Sequence, residues 1–254
     1  MNSITGRIRG ASAQPTESVT LSDNMSFAAR EAYKLLRTNL LFSLPEPVEG
    51  KGYVLGITSA LQGEGKSTTT VNLARTLAEQ GELVLVVECD LRLPSLHKKI
   101  PIVPKPGLSN VLLVRGDPAR FIQHVQVGHV NNTPIVIDVL AAGDIPPNPS
   151  ELLGSSRMRL KLEQLSKKYS FILLDLPPVT AVSDALVATK LVDGIIMVVR
   201  NEHTDSGSLK EAMRQLKLAD ARMLGFVYTC AGSASGGYRK KYQRQYYRNY
   251  EGTK

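Results

Sequence analysis

Short, nearly unbroken apolar runs recur along this chain at Tyr53–Thr58, Leu83–Glu88, Ile135–Leu140, Phe171–Asp175, Gly194–Val199 and Met223–Thr229. Most are rich in Val, Ile and Leu, which predicts strands buried on both faces. Between most of them the apolar residues fall at helical spacing. Helices are expected over Lys66–Gln80, ended by Gly81, and over Arg157–Lys168, Asp184–Leu191 and Ser208–Leu218. Asn148-Pro149 has the form of an N-cap followed by a first-turn proline. One more helix, Met25–Ser43, precedes the first strand and is broken by the Pro45–Gly52 stretch. Asp23 or Asn24 can cap its start. Ala28, Ala32, Leu35, Leu36 and Leu40 form its apolar stripe, while Glu31, Lys34 and Arg37 share another face. Strands alternating with helices predict an α/β fold: a single doubly wound, mainly parallel sheet with helices on both faces.

The ends break this pattern. Residues 1–24 are polar and aperiodic and read as a mobile N-terminal arm. After Cys230, Ala-Gly-Ser-Ala-Ser-Gly-Gly reads as a flexible linker into a last segment unlike the rest. The expected organisation is therefore an arm (1–24), one domain (25–230) and a flexible basic, tyrosine-rich tail (231–254). Residues 238–254 carry six basic side chains against a single acid, Glu251, and so hold five of the chain's net +8 charges. They also hold Tyr238, Tyr242, Tyr246, Tyr247 and Tyr250, five of its nine tyrosines. Such a segment can be merely solvated, can bind nucleic acid or an anionic surface, or can present hydroxyls for modification.

Composition removes several classes. With 43% hydrophobic and 21% charged residues, the 254-residue chain is not wholly disordered. No apolar run approaches the ~18 residues of a membrane span, and the first 30 residues lack the layout of a secretory signal. Two cysteines cannot form a disulfide framework, so a reducing cytoplasm is expected. His97, His124, His129 and His203 show no zinc-ligand spacing.

The strongest chemical signal is Ala60-Leu-Gln-Gly-Glu-Gly-Lys-Ser67, between a predicted strand and a predicted helix. It fits the phosphate-binding loop of P-loop NTPases except that Ala60 replaces the first glycine. Gly63, Glu64, Gly65, Lys66, Ser67 and Thr68 are the expected nucleotide-binding residues. The glycines let backbone N–H groups face the phosphates, Lys66 reaches the β- and γ-phosphates, and the Ser67 hydroxyl ligates Mg²⁺. A second strand ends in Glu88-Cys-Asp90-Leu-Arg92, two carboxylates expected on one side at a sheet's C-terminal edge. A third ends in Leu174-Asp175-Leu-Pro-Pro178, the layout of a Walker B metal site. Cys89, between the two carboxylates, is expected to be a small buried residue.

With these motifs the chain resembles the bacterial protein-tyrosine kinases of capsular and exopolysaccharide biosynthesis. The likeness also draws on Glu31-Ala-Tyr-Lys-Leu-Leu-Arg-Thr-Asn39, Ala142-Gly-Asp-Ile-Pro-Pro-Asn-Pro-Ser-Glu-Leu-Leu153 and the tyrosine cluster, and spans residues 25–254. It implies autophosphorylation, with transfer of the ATP γ-phosphoryl group to Tyr238, Tyr242, Tyr246, Tyr247 and Tyr250. Lys66, Glu88, Asp90 and Asp175 are the implied catalytic residues. Mg²⁺ would be held by Ser67, Asp90 and Asp175, and the proton acceptor would be Glu88 or Asp90. It further implies a homo-oligomer, a ring in the family, through Glu31, Lys34 and Arg37. The other implied partners are a separate transmembrane adaptor, protein tyrosine substrates and a cognate phosphatase, with no nucleic acid. The chain would be cytoplasmic and recruited to the inner face of the membrane.

The sequence departs from the family where Glu88 replaces an Asp, Lys34 replaces an Arg of the oligomerisation motif, and Thr229 replaces a common Asn near the adenine. The alternative is a switch ATPase like those of plasmid partition and division-site placement. Those carry a second lysine five residues before the loop lysine, where this chain has Leu61.

Overall fold

A computed structural model describes residues 25–114 and 117–230. In chain order the elements are α1 (Phe27–Ser43), β1 (Tyr53–Ser59), α2 (Lys66–Ala78), β2 (Val84–Glu88), α3 (Leu108–Val114), β3 (Gln123–Val130) and β4 (Thr133–Leu140). There follow α4 (Pro149–Leu153), α5 (Ser156–Ser166), β5 (Phe171–Asp175), α6 (Asp184–Ala188), β6 (Gly194–Arg200), α7 (Ser206–Leu218) and β7 (Met223–Thr229). The strands form one seven-stranded sheet in the order β3-β4-β2-β5-β1-β6-β7, parallel except for β3.

Strand alternation divides the core between the two faces. Leu55, Ile57, Val84, Val86, Leu173 and Val198 face α2 and its Val71, Ala74 and Leu77. Val54, Leu85, Val87, Ile172, Leu174 and Met197 face the other way, onto Leu112, Met158, Leu162, Ala188 and Leu216 of α3, α5, α6 and α7. Covered on both sides, β2 and β5 have no exposed position, which is why they read as unbroken apolar runs.

The sheet order positions the site. β5 lies between β1 and β2, so Ile57 of β1 and Glu88 of β2 both pair with Asp175 of β5. Three loops therefore leave the C-terminal edge of the sheet side by side, where open α/β sheets bind ligands.

Three expectations need correction. The expected strand Ile135–Leu140 is the second arm of a hairpin whose first arm, β3, was absent from the sequence reading. Asn131 and Asn132 turn it with φ of 49° and 62°, the left-handed pair a two-residue hairpin requires. Helix α1 is capped by Ser26, whose hydroxyl accepts from Ala29 N; Asp23 and Asn24, the expected caps, lie outside the described residues. Its expected stripe is also only partly used. Leu40 is buried and Leu36 packs beside it, whereas Ala28, Ala32 and Leu35 are exposed. Helix α1 lies against α2 and reaches β7, and the apolar positions it buries are confined to its second half.

Candidate active site

The loop from Ala60 to Gly65 joins β1 to α2, and its shape depends on Gly63 and Gly65, at φ of 82° and 96°. A side chain there would be strained, so glycine is required. Three successive loop carbonyls are each held by a side chain from the β6–β7 end of the sheet. Gln62 O accepts from His203 Nε2 at 3.0 Å, Gly63 O from Arg200 Nη1 at 2.9 Å, and Glu64 O from Thr229 Oγ1 at 2.8 Å. A trans peptide sets its N–H opposite its C=O, so the amides of Gly63, Glu64 and Gly65 turn away from that side. Glu64 is buried, and its carboxylate accepts from Leu61 N at 3.0 Å and from the Thr204 hydroxyl. The loop is thus held from outside with its donors left for an anion.

The carboxylates across from the loop have different surroundings. Asp175, at the end of β5, is buried and pushed up to about 7 by that burial. A Ser67 hydrogen bond and the Lys66 charge act against the shift, while the negative charges of Glu88 and Asp90 add to it. The Thr70 hydroxyl is 3.5 Å from its Oδ1. Asp90 lines the pocket and accepts from Leu93 N at 3.1 Å, and burial raises its carboxyl above the usual range.

Glu88 departs from its expected place beside Asp90. Strand β2 ends at Glu88, so the alternation that would have aligned the two carboxylates stops between them. Glu88 is completely buried, with Oε1 accepting from Ser95 N (2.6 Å) and Leu96 N (2.7 Å) and Oε2 from Ala142 N (3.1 Å). Its extra methylene extends it across the start of the loop after β2 to the end of β4. Cys89 is buried, and burial together with three nearby carboxylates pushes its thiol up, so it is an inert core residue.

Arg92 is fixed by a residue that the sequence did not single out. Its Nε and Nη2 lie 3.0 and 3.2 Å from the two carboxylate oxygens of Asp184, which is fully buried at the start of α6. The Ser150 hydroxyl, from α4, donates to the same carboxylate. This fork ties the loop after β2 to two helices nearly 60 and more than 90 residues further along. No local pattern marks Asp184. His203, Arg200 and Thr204 were missed for the same reason, and Thr229 was noted only as a substitution.

Gly63, Gly65, Lys66, Ser67, Thr68 and Asp90 line one open cavity of about 460 Å³, which continues past Arg92 to Leu93, Lys98, Lys99 and Ile145. The donor set fits Mg²⁺ bound with a nucleotide. Among the described residues no three carboxylate, His or Cys side chains cluster as an all-protein cage, and Mg²⁺ typically takes one or two carboxylates plus phosphate oxygens and water.

The Glu31, Lys34 and Arg37 face divides. Lys34 pairs with Glu31 at 2.7 Å, but Arg37 donates to Thr76 O of α2 at 2.7 Å and is engaged within its own chain. Tyr238, Tyr242, Tyr246, Tyr247 and Tyr250, like residues 1–24, lie outside the described residues. Among the described residues no helix is long and apolar enough to cross a membrane.

Comparison with known proteins agrees with this architecture. Residues 55–240 match the CobQ/CobB/MinD/ParA nucleotide binding domain. The chain is 34% identical over 197 residues to the tyrosine-protein kinase YwqD of Bacillus subtilis, covering 78% of this chain and 79% of that one. It is 33% identical over 205 residues to the tyrosine-protein kinase Etk of Escherichia coli K12, covering 81% of this chain but 27% of Etk. The solved structure of the chimerical protein CapA2B2 superposes with a TM-score of 0.71 at 30% identity, over 82% of this chain and 86% of that one. The chain belongs to this nucleotide-binding family and, within it, to the bacterial tyrosine-protein kinases.

Proposed function

We propose that this chain is an ATP- and Mg²⁺-dependent protein-tyrosine kinase that phosphorylates the tyrosines of its own basic tail and thereby regulates capsular or exopolysaccharide synthesis and export. The observation that carries the proposal is the continuity of one cavity from the phosphate loop, past Asp90, to an open rim. Beside the phosphate loop that rim offers exposed Leu93 and Ile145 and two lysines, a surface on which a second substrate can rest.

Lys66 and the loop amides bind and orient the phosphates. Ser67 and Asp175 would hold Mg²⁺, which when bound would neutralise phosphate charge, while Asp90, expected as a third ligand, is assigned to the proton instead. In the transfer, a bond forms between the tyrosine oxygen and the γ-phosphorus. The bond from that phosphorus to the β–γ bridging oxygen breaks, its electron pair leaving with ADP. The phenolic proton passes to a carboxylate. Asp90 suits that role because it lines the cavity, whereas both oxygens of Glu88 are taken by backbone amides. Loose phosphoryl transfer depends chiefly on such positioning and charge neutralisation.

In this reading the chain works with a separate transmembrane partner that brings it to the inner face of the membrane, and assembles with copies of itself. Incubation of the purified full chain with γ-labelled ATP and Mg²⁺, followed by phosphoamino-acid analysis, tests the proposal. Phosphotyrosine that disappears on chelation of Mg²⁺ is expected. Release of inorganic phosphate without phosphotyrosine would favour the switch ATPase instead.

A further inference from the structure

We infer that the outer half of the cavity is a docking subsite for a tyrosine followed by an acidic residue, and that within this chain it selects Tyr250, which precedes Glu251. This rests on the kinase proposal above. The phosphate loop and Lys66 account for one end of the cavity. The other end is walled by Leu93, Pro94 and Ile145, with Lys98 and Lys99 beside them. Leu93 and Ile145 are 63% and 62% exposed, large apolar side chains left uncovered on two separate loops facing one cavity. An aromatic ring entering between them would bury apolar surface that nothing in the described chain covers.

The charge of this wall sets what may flank the ring. Arg92 is already neutralised by Asp184. Lys98 and Lys99 are exposed and pair with no carboxylate among the described residues. They therefore favour a carboxylate next to the incoming tyrosine and oppose a basic neighbour. Tyr238 precedes Arg239, Tyr242 follows Lys241 and Tyr247 precedes Arg248, while Tyr246 has no charged neighbour. Tyr250 alone in the tail has an acid beside it. It lies 21 positions after Thr229 at the end of β7, roughly 70 Å when extended, so a pocket in the same chain or in a neighbouring copy is within reach. Specificity of this kind is a difference between attraction and repulsion, and each exposed charge contact contributes up to about fivefold. The transfer itself is the one written above, from ATP to the Tyr250 oxygen.

A time course of autophosphorylation by the full chain, with each tyrosine quantified by mass spectrometry, tests the inference. Tyr250 is expected to be labelled first. Glu251→Lys should slow Tyr250 by about tenfold and leave Tyr238 and Tyr242 unchanged, while Lys98→Glu/Lys99→Glu should slow Tyr250 and speed the basic-flanked sites. Combining all three substitutions should restore Tyr250. Labelling of Tyr250 that ignores both changes would overturn the subsite alone, as would a raised KM for ATP in Lys98→Glu/Lys99→Glu, since the lysines would then serve the nucleotide. Absence of phosphotyrosine from the parent chain would overturn the kinase proposal and the subsite with it.

Discussion

At the phosphate loop, the carbonyls of Gln62, Gly63 and Glu64 are each held by a side chain from β6, the turn after it or β7, and Glu64 is buried. At the other end of the same cavity, Leu93, Lys98, Lys99 and Ile145 stand exposed on loops, held in place mainly through Glu88 and Arg92. The first half is built by residues close in sequence and finished by a hydrogen-bonded clamp. The second is assembled from segments that start about 50 to 90 residues apart. The contrast follows from what each half must hold. A triphosphate is the same in every turnover, and a fixed cradle of donors costs no reorganisation when it binds. An acceptor segment has to enter and leave, so its half needs apolar surface and charge at an open rim.

Substitutions at the two ends should therefore fail in different ways. The largest effect is expected from Lys66→Met, which removes the only cationic side chain of the loop. Nucleotide binding and phosphotyrosine formation should fall together by about 10²–10³-fold, read by fluorescent-nucleotide titration and by labelling. Asp90→Asn should leave nucleotide affinity within about twofold but lower turnover by about 10²-fold, the scale of a lost general base. If affinity and turnover fell equally there, Asp90 would belong to the nucleotide half.

Glu88→Gln separates the neighbouring carboxylate from it. An amide has one acceptor oxygen for the three amides that Glu88 now satisfies, and hydrogen bonds to a charged group contribute about 1.5–3 kcal/mol. Calorimetry should show the melting temperature lowered by about 5–10 °C. Turnover of the molecules that remain folded should stay within about tenfold of the parent, a barrier change of ~1.4 kcal/mol. A heavy loss of turnover with an unchanged melting temperature would return Glu88 to the chemistry.

The smallest effects should come from the supports. Arg92→Lys replaces a fork with a point charge over Asp184, and because the arginine is partly exposed the loss is about 1 kcal/mol. Transfer to the tail should slow by about fivefold while the KM for ATP is unchanged. Thr229→Val removes one hydroxyl donor from the clamp at nearly constant volume. The KM for ATP should rise by about fivefold, as expected for one neutral hydrogen bond of ~1 kcal/mol, with kcat little changed. Equal shifts of both constants in both variants would erase the distinction between the two halves.

Much of this molecule was legible without coordinates. Six of the seven strands announce themselves as apolar runs, β1, β2, β5 and β6 because burial on both faces demands them, and the phosphate loop announces itself because its glycines, Lys66 and Ser67 act within one turn of chain. Such constraints are local, and a local constraint leaves a local pattern. Strand β3 left none, since an edge strand beside an Asn-Asn turn alternates weakly between buried and exposed positions. The stripe of α1 misled because apolar spacing shows which face could pack, not whether a neighbour is there to cover it. Glu88 misled because spacing by two aligns side chains only while a strand continues, and β2 stops at Glu88. Arg200, His203 and Thr229 come to the loop, and Asp184 to Arg92, only because the order of strands in the sheet brings distant chain ends to one edge. Hydrogen bonds between residues 90 to 165 positions apart depend on that topology, and sequence spacing carries no trace of it.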